Sequence, residues 1–160
     1  MLRDVGPVYE LLLPDVAATQ RLGTELAAEL AASEVLAIDG ELGSGKTTLI
    51  RAIVAGLGGD PELVSSPTFT LINRYQARLP IVHLDAYRLR DGSDLAALGF
   101  DELLEESVVL IEWASRVRPA LSGCVRWDAL IEHHPPGRRA RLQAPPGKRL
   151  QLGQVTGKLP

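Results

Sequence analysis

Residues 35–50 read VLAIDGELGSGKTTLI, and the reading of the whole chain turns on them. Val35 to Asp39 is an apolar run closed by a carboxylate, the pattern of a buried strand. Gly40, Gly45, Lys46 and Thr47 then satisfy G-x-x-x-x-G-K-[ST]. Leu49, Ile50, Ile53, Val54 and Leu57 follow at helical spacing until Gly58 and Gly59 stop them. Strand, glycine loop and helix in that order predict a phosphate-binding loop. Its glycines let successive N–H groups turn towards one centre, and the helix N-terminus adds a partial positive charge. Lys46 can reach the β- and γ-phosphates, and the Thr47 hydroxyl can take one position on Mg²⁺.

Outward from this stretch, short apolar runs alternate with amphipathic ones, which reads as α/β. VYELLL (Val8 to Leu13) is a first strand, and Asp15 caps a helix expected to run to about Ala32 with Leu22, Leu26 and Leu30 on one face. VSSPTFTLINRY is a loop passing into a strand at about Thr68. IVHLD (Ile81 to Asp85) and VVLIE (Val108 to Glu112) are further strands, separated by a short helix and turn in SDLAALGFDELL. VRWDALIEH (Val125 to His133) and ARLQA (Ala140 to Ala144) pair antiparallel. The expected architecture is a single P-loop NTPase domain over residues 1–145. Its mostly parallel central sheet is flanked by helices and ends in a late antiparallel hairpin. A basic, flexible tail is expected over 146–160.

Bulk composition sets limits. The 160 residues are one domain's worth, and 46% apolar content is ordinary for a globular core. No apolar run approaches the roughly 18 residues of a membrane span, and the opening MLRDVGPVYE lacks the apolar segment of a secretory signal. A cytoplasmic protein is the expectation. The single cysteine, Cys124, excludes an internal disulfide and a cysteine-cluster metal site. Net charge is −3, yet Arg138, Arg139, Arg141, Lys148, Arg149 and Lys158 close the chain with no acidic residue among them. Such an end on an acidic body reads as a solvated tail rather than an RNA platform.

Two strand-end carboxylates, Asp85 and Glu112, compete to complete the phosphate site. A parallel sheet presents the C-terminal ends of its strands to the ligand, and Mg²⁺ commonly takes only one or two protein carboxylates. One of the pair would hold the metal and the other orient water or accept its proton. Each could instead cap a helix or pair with Arg88 or Arg116. Ser65, Ser66 and Thr68 around Pro67 lie where other P-loop proteins sense the γ-phosphate, although such a cluster is ordinarily a turn. His83, His133 and His134 lack the spacing of a zinc site, and a histidine in a buried strand reads as hydrogen-bonded core.

GELGSGKTT, SSPTFTL, HLDAYRL, LGFDELL and VVLIEWASR, in this order, resemble the TsaE family, formerly YjeE, over roughly residues 14 to 142. The resemblance implies an ATP-binding and hydrolysing accessory subunit of the bacterial machinery for N6-threonylcarbamoyladenosine (t6A). It would act with TsaB and TsaD and meet tRNA only through them, with no membrane association. Its weak ATPase would be stimulated by TsaB–TsaD and would reset the complex between turnovers. The resemblance further implies ATP held by Gly43, Ser44, Gly45, Lys46, Thr47 and Thr48, and Mg²⁺ held by Thr47 and Glu112. Asp85, Lys46 and Thr68 would serve hydrolysis. Thr19, Gly137 and Arg138 would approach the base and ribose. Ser44 stands where many family members have alanine and is expected to be harmless. Trp113 lies beside the metal ligand or packs in the core, and Tyr87 and Arg88 brace the loop after Asp85 or face the partner.

Two rivals remain at this level. A small-molecule or nucleoside kinase would use GRRAR as an arginine-bearing lid, although no acceptor pocket is legible. A nucleotide-dependent binding module would use ATP to stabilise one conformation with little hydrolysis. The Asn-Lys-x-Asp segment of a GTPase is missing, and LSGC at Leu121 to Cys124 lacks the rest of an ABC signature.

Overall fold

The structure, a computed structural model, describes residues 5–68 and 70–151. Seven strands form one sheet: β1 (Val8–Leu13), β2 (Glu34–Asp39), β3 (Ile72–Tyr75), β4 (Ile81–Asp85), β5 (Val108–Glu112), β6 (Val125–His134) and β7 (Gly137–Gln143). The helices are α1 (Val16–Glu29), α2 (Lys46–Gly56), α3 (Gly92–Ala97) and α4 (Phe100–Glu106). Strand order is β1-β7-β6-β2-β5-β4-β3. The four central strands run parallel; β3 pairs antiparallel with β4 at one edge, and at the other β7 pairs antiparallel with β6 and β1 antiparallel with β7.

The period of two in each strand decides what faces where. Leu36 and Ile38 of β2 and Val108 and Leu110 of β5 join α1 and α2 in one apolar cluster with Leu22, Leu26, Ile50 and Ile53. Val35, Ala37, Val109 and Ile111 face the other way, onto Leu95, Phe100, Val117 and Leu121. Covered on both faces, β2 from Val35 to Ile38 and β5 from Val108 to Ile111 are apolar throughout, as buried parallel strands must be. α1 and α2 touch nearly backbone to backbone. A Cβ on Gly23 would lie 2.3 Å from that of Ala52, and one on Gly56 would lie 2.7 Å from that of Ala27.

Three expectations need adjustment. α1 ends at Glu29, because Leu30 turns extended and Ser33 takes a left-handed φ of 67° before β2. The strand expected at Thr68 starts only at Ile72, since Leu71 has φ 66° and its N–H bonds back to the Pro67 carbonyl at 2.8 Å. The late antiparallel hairpin of β6 and β7 forms as expected, and β7 also carries β1 along its outer side. Finally, the described start of the basic tail is docked. Lys148 Nζ lies 2.9 Å from Glu34 Oε1, Leu150 is buried, and its N–H donates to the Tyr9 hydroxyl at 3.1 Å. Residues 152–160 lie outside the described part. Among the described residues no helix is long and apolar enough to cross a membrane.

Candidate nucleotide site

The loop between β2 and α2 has the backbone that its sequence requires. Gly40, Gly43 and Gly45 take φ of 155°, 75° and 107°, in the region that favours glycine. A Cβ on Gly40 would in addition sit 2.5 Å from the Ile131 carbonyl. Arg138 ties the loop to β7, its guanidinium donating to the Ser44 carbonyl at 2.9 Å and the Gly43 carbonyl at 3.2 Å. Ser44 is fully buried, and its Oγ has no hydrogen-bond partner among the described residues. The small side chain expected to be harmless therefore carries an unpaired buried hydroxyl.

Lys46 begins α2 and turns back into the loop. Its ammonium donates to the carbonyls of Gly40 at 2.6 Å and Glu41 at 2.9 Å, and stands 4.3 Å from the centre of the Trp113 ring. Burial lowers its pKa, while Glu112, Asp85 and Asp39 act to raise it. Trp113 follows the last residue of β5 with φ 57°, a left-handed conformation unusual for a bulky residue. It also meets Tyr87, ring centres 5.1 Å apart, and Arg116 lies 5.4 Å from the Tyr87 ring. Trp113 thus lines the site rather than the core.

Asp85 and Glu112 are register partners on β4 and β5, so their side chains leave the same face of the sheet, the face that carries α2. Glu112 Oε1 lies 3.4 Å from the Thr47 hydroxyl. Its other oxygen lies 2.7 Å from His83 Nε2. Asp85 accepts from the Thr68 hydroxyl at 3.3 Å and from the Tyr87 N–H at 2.8 Å. A hard cation fits this donor set, because neighbouring corners of an oxygen octahedron at Mg²⁺ distances are about 2.9 Å apart, close to the observed Thr47–Glu112 span.

Thr19, Gly137 and Arg138, widely separated in sequence, line one cleft of about 180 Å³ with Asp15, Gly45 and Thr48. Gly137 is required there by close approach, since a Cβ would fall 2.1 Å from the Leu13 carbonyl. A larger cleft of about 620 Å³ opens on the other side of the loop, with Leu42, Trp113, Leu130 and His133 in its wall. GRRAR is the start of β7, paired on both sides, and so cannot be a swinging lid.

The family model for "Threonylcarbamoyl adenosine biosynthesis protein TsaE" matches residues 13–140. The chain belongs to the TsaE family. A tRNA threonylcarbamoyladenosine biosynthesis protein TsaE from Nostoc sp. is 39% identical over 119 residues, covering 71% of this chain and 72% of that protein. The Aquifex aeolicus protein of the same name is 36% identical over 112 residues, 69% of this chain and 80% of its own length. Matches to two Rickettsia proteins of that name span 66% and 60% of those relatives. The crystal structure of Bacillus subtilus YdiB superposes with a TM-score of 0.70 at 27% identity, covering 87% of this chain and 86% of that one.

Within this TsaE-family chain, sequence reasoning did not reach the partners of Glu112. In the sequence His83 reads as hydrogen-bonded core, and its buried place fits. That its ring touches the metal-ligand candidate follows from register. His83 is two residues before Asp85 on β4, and thus on the same face as Glu112 of β5.

Proposed function

We propose that this chain is the ATP-binding and hydrolysing subunit of the t6A machinery, working on a TsaB–TsaD assembly and meeting tRNA through it. Membership of the TsaE family supports the setting. One observation supports the chemistry: Thr47 Oγ1 and Glu112 Oε1 lie 3.4 Å apart at the mouth of the phosphate loop.

In this reading the N–H groups of Gly43 to Thr48 cradle the phosphates, helped by the N-terminus of α2. Lys46 leaves the Gly40 and Glu41 carbonyls for the phosphate oxygens, a short move for an ammonium on a flexible stem. Thr47 and Glu112 would hold Mg²⁺, which would neutralise charge on the phosphates when bound. Asp85, fixed by Thr68 and the Tyr87 N–H, orients the attacking water and receives its proton. Thr68 reports the γ-phosphate through its bond to Asp85. Thr19, Gly137 and Arg138 flank the base and ribose in their cleft.

The deciding experiment measures ATP turnover by the purified chain alone and with TsaB–TsaD of the same organism, with and without tRNA. Turnover that is negligible alone and rises on adding the pair is the expected result. Phosphate transfer to small acceptors, or no response to the pair, would overturn the reading. Asp85→Ala separates hydrolysis from binding: ATP should still bind while t6A formation is lost.

A further inference from the structure

A file of polar side chains crosses the sheet from its edge to the phosphate site. Glu112, His83 and Tyr75 are 3%, 0% and 6% exposed, so these groups are well out of water. Glu112 Oε2 lies 2.7 Å from His83 Nε2, and His83 Nδ1 lies 2.9 Å from the Tyr75 hydroxyl. Asn73 Nδ2 lies 3.5 Å from that hydroxyl and 3.0 Å from the Ser65 carbonyl. The Asn73 carbonyl accepts from the Thr70 hydroxyl at 3.0 Å, which orients the amide.

The protons can be assigned in turn. A carboxylate only accepts, so the proton between Glu112 and His83 belongs to Nε2. With Nδ1 as the acceptor, the Tyr75 hydroxyl donates to it at 2.9 Å, the shorter of that hydroxyl's two acceptor contacts, the other being the Ser65 carbonyl at 3.3 Å. The Tyr75 oxygen is left to accept from Asn73, whose second amide proton goes to Ser65. From Thr70 through Asn73, Tyr75 and His83, one proton at each step points along the file towards Glu112. Hydrogen bonds aligned in this way polarise one another in a low-dielectric interior.

Fold stability does not require this file. Ile81, Val82 and Leu84 beside His83, and Val108 to Ile111 on β5, are all apolar and buried. An apolar residue at position 83 would suit the core, because buried polar groups gain little over well-packed apolar ones. The file also ends on a segment with a second anchor in the site, for Thr68 donates to Asp85 at 3.3 Å.

We propose that His83 is a positioning residue that fixes the Glu112 carboxylate for its cation, and that Tyr75 and Asn73 tie that carboxylate to the Ser65–Thr68 segment. Occupation of the metal site and order of the segment are thereby coupled, and the coupling is reciprocal. The inference rests on Glu112 being a metal ligand, as proposed above.

The test measures binding of a non-hydrolysable ATP analogue to the full chain, with Mg²⁺ and with EDTA, for wild type, Glu112→Ala, His83→Leu, His83→Gln and Tyr75→Phe. Hydrogen exchange of peptides spanning Ser65 to Thr68 is followed in the same samples. Partners of metal-binding side chains typically contribute about 10–100-fold to affinity. His83→Leu should therefore lose roughly tenfold or more in Mg²⁺-dependent affinity and leave EDTA affinity unchanged. His83→Gln, whose amide can still donate to Glu112, should recover most of it. Tyr75→Phe should lose a smaller part of the Mg²⁺-dependent affinity than His83→Leu, and its Ser65–Thr68 peptides should respond less than those of wild type when Mg²⁺ and nucleotide bind.

If Glu112→Ala keeps the full Mg²⁺ dependence, the metal assignment fails and the proposal falls with it. If Glu112→Ala loses that dependence while both His83 variants keep it, the proposal alone is overturned. A Tyr75→Phe segment that responds as in wild type removes the tie to Ser65. If His83→Leu does not fold, His83→Asn, whose amide is too short to reach Glu112, takes its place in the same readouts.

Discussion

Replacing Ser44 by alanine should stabilise the protein without weakening ATP. Ser44 is wholly buried, and its hydroxyl has no partner among the described residues. A buried hydroxyl left unpaired costs about 1–3 kcal/mol. Removing one oxygen opens a space of about 10 Å³, and at about 24 cal/mol per Å³ the penalty is only ~0.2 kcal/mol. The balance favours alanine by about 1 kcal/mol or more, which for a domain of this size raises Tm by about 2–4 °C. The hydroxyl points back towards β2, since a Cβ on Gly40 would lie 2.6 Å from it. Phosphate binding through the loop N–H groups should therefore be untouched. Thermal unfolding and ATP titration of Ser44→Ala, side by side, check both halves. A fall in Tm, or a tenfold loss of ATP affinity, would show that the hydroxyl has a partner in the working protein and refute the reasoning.

Gly23→Ala should destabilise by about 1–2 kcal/mol in urea unfolding. The helix-propensity gain is at most about 1 kcal/mol, against about 1–3 kcal/mol for forcing a methyl into the α1–α2 contact, where Ala52 Cβ would be 2.3 Å away. Tryptophan emission should shift when ATP draws Lys46 off the Trp113 ring, now 4.3 Å away, and Trp113→Phe should abolish the shift because Trp127 is fully buried. Asp94 accepts hydrogen bonds from the Arg90 guanidinium and N–H, which hold its pKa down to about 2. A depressed carboxylate stabilises the fold above its unfolded pKa, near 4. The difference in urea midpoint between wild type and Asp94→Asn should thus be steady above pH 5 and shrink as pH falls towards 2.

How much the chain disclosed in advance depended on the range of the interaction. The phosphate loop is local: Gly40 to Thr47 carry their own geometry, and the flanking runs name the strand and helix around it. Asp85 and Glu112 were legible because each ends a short apolar strand, although their roles needed the register that pairs them. Tyr75 stayed hidden for the same reason: β3 meets β4 antiparallel, and the alignment that brings its hydroxyl to His83 is set by the turn between them. Trp113 could not be read as left-handed, because nothing in an indole favours that φ; the surrounding contacts impose it. The docking of Lys148 on Glu34 is a contact across 114 positions, beyond any local pattern.

The pairing of β1 with β7 has a practical corollary for anyone handling the molecule. Val8 sits opposite Gln143 at one end of this two-stranded edge, and Leu13 sits opposite Arg138 at the other, where Arg138 holds the phosphate loop. The backbone therefore enters and leaves this ribbon about 17 Å from the nucleotide end. Fusions, affinity handles or surface tethers attached beyond either strand should leave the rim of the candidate nucleotide site open, and joining the two flanks by a short peptide would give a permuted chain whose new ends could be cut into an exposed loop elsewhere.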